Sequence, residues 1–155
     1  MSEYLVVKWI HVLSSTILFG TGIGSAFYMF FASRQADAKV AHFVVRHVVI
    51  ADWLFTTTAI IVQPVTGVWL AHIAGLPLTA AWLLWSIVLY LVAGACWMPV
   101  VWIQYQMRAM ARAAAESNTA LPARFHRLFR VWVALGVPAF AALVVVFYLM
   151  VAKPA

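Results

Sequence analysis

Residues 4–32 read YLVVKWIHVLSSTILFGTGIGSAFYMFFA, and this stretch decides the fold. About 20 predominantly apolar residues suffice to cross the hydrocarbon core of a bilayer. Here Lys8 is the one charged side chain in the run. The apolar stretch from Leu5 to Phe31 also far exceeds the roughly 7–15 residues of a secretory signal core, and the preceding MSEY carries no basic residue. The segment is expected to remain in the mature protein as a membrane helix.

Three further segments reach spanning length, at roughly 46–73, 79–107 and 124–152, beside the first at 4–32. The composition agrees: 66% of the 155 residues are hydrophobic and 9% are charged. Soluble domains carry about 25% charged residues, so this chain cannot cover its surface with polar groups, and the lipid bilayer must serve as part of its solvent. Its length suits a single transmembrane domain over residues 1–155. The lone cysteine, Cys96, excludes a disulfide framework and reads as packing.

Between the spans lie SRQADAKVAHFVVR (33–46), HIAGLPLTA (72–80) and RAMARAAAESNTALPARFHR (108–127). The second breaks at Gly75 and Pro77, the third at Ser117-Asn118 and Pro122. Eight of the ten lysines and arginines fall in or beside the first and third connectors: Arg34, Lys39, Arg46, Arg108, Arg112, Arg124, Arg127 and Arg130. Only Lys8 and Lys153 lie at the other end. The positive-inside rule places these two connectors in the cytoplasm of a bacterial-type inner membrane, with both termini outside. Trp9, Trp69, Trp82 and Trp85 then fall at the outer interface. The formal charge of +6 is read as orientation, not as nucleic-acid binding. Short connectors make neighbours antiparallel, so the expected fold is an all-α, up-down transmembrane four-helix bundle. Pro64, Pro99 and Pro138 fall inside spans and are expected to kink them.

At 100° per residue, His11, Ser14, Ser15, Leu18, Gly22, Ser25 and Met29 share one side of the first helix. Gly20 and Gly24 stand roughly opposite in GxxxG spacing, suited to close approach by another helix, either a membrane partner or a second copy. An ionisable side chain inside a membrane is costly and marks a functional candidate, so His11 leads the list. The alternative is a structural histidine that only bonds a serine or a carbonyl. On the second helix, Asp52, Thr56, Ala59, Gln63 and Thr66 share a side. Asp52 is the one acid within a span and is expected to pair with Arg127 or Arg130. His47 and His72 occupy the two ends of the second helix; His42 and His126 read as solvated or at the headgroups.

Neutral imidazole is a common metal ligand, and helical bundles can hold a haem between them. Copper finds less support, since only Met107 and Met110 share a face among six methionines. There is no HExxH, no nucleotide-binding loop and no serine nucleophile with a paired base, which argues against hydrolysis and phosphoryl transfer.

KWIHVLSSTILFGTGIGSAFY (8–28) resembles the first helix of HemJ-type membrane proteins, with its lysine-x-x-histidine opening and a phenylalanine and glycine about nine residues later. RHVVIADWLFTTTAIIVQPVTGVWLA (46–71) and ARFHRLFRVWVALGVPAFAALVVVFYLMVAKP (123–154) are similar to their second and last helices. The CopD-like copper-resistance membrane proteins share the general plan, and within this superfamily the chain looks closest to a branch of predicted integral membrane proteins without assigned activity. HemJ-type proteins are protoporphyrinogen IX oxidases that bind haem b. The resemblance implies haem b on His11 and a basic residue, Arg46, that meets a carboxylate. It departs at TAAWLLWSIVLYLVAGACWMPVVWIQ (79–104), which lacks the lysine and histidine of the family's third helix. A second iron ligand then falls to His72 or His47, or the iron is five-coordinate, with hydrogen bonding from Ser14 or Ser15. The expectation is a haem b-associated membrane protein with a redox role and, if an enzyme, a HemJ-like oxidoreductase. The alternatives are a non-enzymatic membrane subunit or scaffold and, more weakly, a copper-handling protein.

Overall fold

The structure, a computed structural model, describes residues 2–35 and 37–154. Four helices are long and apolar enough to cross a membrane: α1 (Glu3–Arg34), α2 (Ala38–Ile73), α3 (Ala81–Glu116) and α4 (Ala123–Ala152). No strand occurs among the described residues.

The helix ends follow from local chemistry. The Asp37 carboxylate accepts from the Lys39 N–H at 2.8 Å, capping the start of α2. At the other end of α2, Gly75 takes a φ of +64°, which costs a glycine little. The Leu76 N–H then reaches back to the Ala71 carbonyl and the Gly75 N–H to that of His72, a Schellman closure. Asn118, with a φ of 54°, ends α3 in a related way, and the Thr119 N–H bonds the Ala114 carbonyl at 2.9 Å.

The connectors are shorter than hydropathy suggested. α2 begins at Ala38, not near residue 46, and α3 runs on to Glu116. AKVAHFVVR and RAMARAAAE carry charges that keep them out of hydrocarbon, yet neither holds a proline or glycine that would stop a helix, and the second is rich in helix-forming alanine. The helices therefore continue past their apolar spans.

None of the three internal prolines ends its helix. A proline deprives the carbonyl four residues earlier of its N–H donor. For Pro64 that carbonyl belongs to Ile60, and the Tyr90 hydroxyl of α3 donates to it at 2.8 Å. A change of winding lies at Asp52–Thr56, a π turn closed by the Thr57 N–H on the Asp52 carbonyl. The Thr57 hydroxyl donates to the same carbonyl at 2.9 Å.

Glu3 bonds Trp69 and His11 bonds Thr66, so α1 and α2 run in opposite senses. The pairs Asp52–Gln104 and Ile60–Tyr90 give the same relation for α2 and α3. The most extensive contact joins α3 to α4. The first half of α2 packs on α3 and α1; past the π turn, Thr57–Ile73 packs on α1 and makes no close backbone approach to α3. α1 meets α4 only slightly, through aromatic contacts such as Phe19 stacked on Phe140 at 4.9 Å.

The dry core lies in the half of the bundle nearer the arginines, where Met29, Val45, Ile103, Met107, Phe125 and Phe129 cluster. Large apolar side chains also cover the outside, among them Trp9, Tyr28, Trp53, Leu91 and Met98. Such a surface suits lipid and not water.

Candidate functional site

The other half of the bundle carries a polar seam between α1 and α2. Thr66 is buried, and its hydroxyl donates to the Val62 carbonyl at 2.7 Å. His11 Nδ1 lies 2.7 Å from the same hydroxyl oxygen. A hydroxyl has one hydrogen; with that hydrogen on the helix carbonyl, the Thr66 oxygen accepts from Nδ1. In that arrangement Nδ1 carries the proton and Nε2 the lone pair. Among the described residues, Nε2 has no hydrogen-bond partner.

Gln63 braces the seam from below. Its Nε2 donates to the His11 carbonyl and to the Ser14 hydroxyl, each at 2.8 Å. Gly67 sets the distance, since a Cβ there would lie 3.3 Å from His11 Cε1. The imidazole is thus packed over bare backbone. Hydrogen bonds between membrane helices average only about 0.6 kcal/mol each, so these contacts orient the ring more than they stabilise the fold.

Other expected site residues lie elsewhere. Ser15 turns away and donates to the Val12 carbonyl at 2.8 Å; Ser14 alone of the two serines joins the seam. His72 is exposed near the end of α2. His47 is exposed and its Nδ1 bonds the Phe43 carbonyl at 2.7 Å. It and Arg46 stand about 30 Å along α2 from Thr66, too far for one group to touch them and His11 together. No cluster of three or more His, Cys, Asp or Glu side chains occurs among the described residues.

Asp52 is buried on the π turn. One carboxylate oxygen accepts from the Thr56 hydroxyl at 2.9 Å, the other from Gln104 Nε2 of α3 at 2.8 Å. The expected pair with Arg127 or Arg130 does not form, and both arginines are exposed. Phe125, Phe129 and Trp132 form the buried stripe of α4, which turns positions 127 and 130 to its opposite face. That aromatic spacing was readable in the sequence, and so was Gln104, a rare amide within an apolar span. Beside Asp52 lies a groove of about 310 Å³ lined in part by Trp53, Trp97, Gln104 and Tyr105. Trp53 Nε1–H donates to the Tyr105 hydroxyl at 2.6 Å, whereas the buried Trp97 Nε1–H has no partner among the described residues.

Spanning helices, a lipid-suited exterior and an internal polar seam are features of an integral membrane protein. No curated protein and no solved structure matches the chain. A family model described as "predicted integral membrane protein" matches residues 5–154, and the chain belongs to that family, DUF2269.

Proposed function

We propose that this membrane protein holds a haem b through Nε2 of His11 and has a redox role. The observation that carries this reading is the chain from the Val62 carbonyl through the Thr66 hydroxyl to His11 Nδ1. Metal-bound histidines characteristically donate their second ring N–H to such a partner, which fixes the tautomer and raises the basicity of the ligating nitrogen. The donor chemistry therefore fits an imidazole that would hold iron through Nε2. Thr66 and Gln63 would hold the ligand's orientation, and Gly67 its clearance. Haem, when bound, supplies a one-electron change at iron. The wide separation of Arg46 and His47 from this seam removes them from the same site; His72, exposed six residues past Thr66 and about 120° round the helix from it, is turned from the seam, and the reading takes a single protein ligand. The distribution of lysine and arginine favours a cytoplasmic location for the basic end, in a bacterial-type inner membrane.

The test is an absorption spectrum of detergent-purified protein, oxidised and then reduced with dithionite. A Soret band with sharp α and β bands on reduction, lost in His11→Ala with the fold intact, is the expected result. A featureless spectrum from folded protein, unchanged on adding haem, overturns the reading.

A second reading, a non-enzymatic membrane subunit, is favoured by the faces of Gly20 and Gly24. A Cβ at either position would meet nothing within 4 Å. Among the described residues nothing packs closely on these glycines, and another helix in the membrane would explain them.

A further inference from the structure

At the arginine-rich end of the bundle, α2 and α3 border a cavity of about 410 Å³ lined by His42, Arg46, Arg108, Arg112 and Glu116. His42 and Arg46 stand one turn apart on a face of α2, and Arg108 and Arg112 do the same on α3. Three arginines thus surround the space against one carboxylate. Arg112 already has its partner, since its Nε donates to the Glu116 carboxylate at 2.7 Å. Arg46 and Arg108 have no carboxylate partner among the described residues.

Like charges gathered about one cavity repel each other unless an anion sits between them. Guanidinium groups offer planar, forked donors that match phosphate oxygens. The depth specifies the source. Arg46 precedes Asp52 by six residues and Arg108 follows Gln104 by four, so the cavity begins about 6–9 Å along the axis from the Asp52–Gln104 hydrogen bond. At this level the apolar spans give way to polar helix ends, where lipid headgroups lie.

We propose that this cavity binds a phosphate group, supplied by the headgroup of an anionic phospholipid in the adjoining leaflet. Arg46 and Arg108 are the principal ligands, and His42 is a further donor. Basic pockets between membrane helices are suited to such headgroups. Glu116 limits the charge of the site by engaging Arg112. The site is separate from the His11 seam and does not depend on haem.

The full chain is placed in phosphatidylcholine nanodiscs doped with phosphatidylglycerol, and lipid retained after release is counted by native mass spectrometry. Arg46→Gln and Arg108→Gln should each weaken phosphatidylglycerol retention about tenfold, the loss of one hydrogen bond to a charged phosphate oxygen. Glu116→Gln, which frees Arg112, should strengthen it, a gain that misfolding cannot imitate. Arg127→Gln with Arg130→Gln removes charge from the same end but outside the cavity, and should leave retention as in the wild type. A second arm titrates inorganic phosphate into protein in neutral detergent by calorimetry. Phosphate uptake that depends on Arg46 and Arg108, without preference for phosphatidylglycerol, keeps the phosphate site and assigns it a soluble source. Equal loss in the Arg127/Arg130 control, or neither ligand depending on Arg46 and Arg108, overturns the site.

Discussion

The Tyr90 hydroxyl supplies the Ile60 carbonyl with the hydrogen bond that Pro64 removes, across 2.8 Å between α3 and α2. A helix defect on one span is thereby repaired by a side chain from another. Past the π turn these helices have no close backbone approach, so this bond bridges them where packing does not.

Tyr90→Phe should leave that carbonyl without a donor and destabilise the protein by about 0.5–1.5 kcal/mol. Pro64→Ala restores a backbone N–H to Ile60, so the tyrosine should matter less in that background. Unfolding measured in mixed detergent for both single variants and the double gives the coupling. Strictly additive effects would contradict the repair.

Asp52 makes a second distinction measurable. Asp52→Ala strips Thr56 and Gln104 of a shared acceptor and should cost about 1–3 kcal/mol. Arg127→Ala with Arg130→Ala should stay within about 0.5 kcal/mol of wild type, as exposed substitutions usually do. Thermal unfolding of the three proteins checks this. A large loss in the double arginine variant would restore the ion pair.

The His11 tautomer can be read directly. Nitrogen-15 NMR of histidine-labelled protein, recorded above the imidazole titration, should show Nδ1 protonated and Nε2 bare. Thr66→Val removes the acceptor and should shift the tautomer balance toward Nε2–H. An unchanged spectrum would mean that Thr66 does not set the ring.

Gly67→Ala places a methyl 3.3 Å from His11 Cε1 and should displace the ring by a few tenths of an ångström. In haem-loaded protein the expected sign is a shifted Soret maximum at nearly unchanged stability. Gly20→Ala with Gly24→Ala meets open space instead and should leave the monomer as stable as before or slightly more so. Crosslinking in membranes then reports any association through that face, and Gly20→Ile with Gly24→Ile should abolish it.

The spans and their turns were legible in the sequence because both depend on local chemistry. Gly75 and Asn118 close α2 and α3 by adopting positive φ, and no distant residue is needed for that. The helix ends at Ala38 and Glu116 were missed because a hydropathy reading senses lipid and not helix propensity. The stripe Asp52, Thr56, Ala59, Gln63 and Thr66 was legible from helical period alone, and all five are buried. Its partners were not, because they depend on how each helix is rotated against its neighbour. Arg127 and Arg130 looked suitable by depth, but depth does not determine facing. His11 stood out as a costly side chain, whereas Thr66 as its partner required knowing that α2 presents that threonine to α1.

The π turn at Asp52–Thr56 carries one residue beyond ordinary helical winding, and the two halves of α2 keep different company on either side of it. Deleting a residue there would let the turn relax to ordinary α winding and leave Gln63 and Thr66 close to their present phase. The same deletion in the regular helix just past the turn would rotate everything beyond it by about 100° and draw it in by about 1.5 Å, swinging both side chains away from His11. The turn acts as slack in the winding: it takes up one residue while a single helix presents its first half to α3 and its second half to the imidazole of α1.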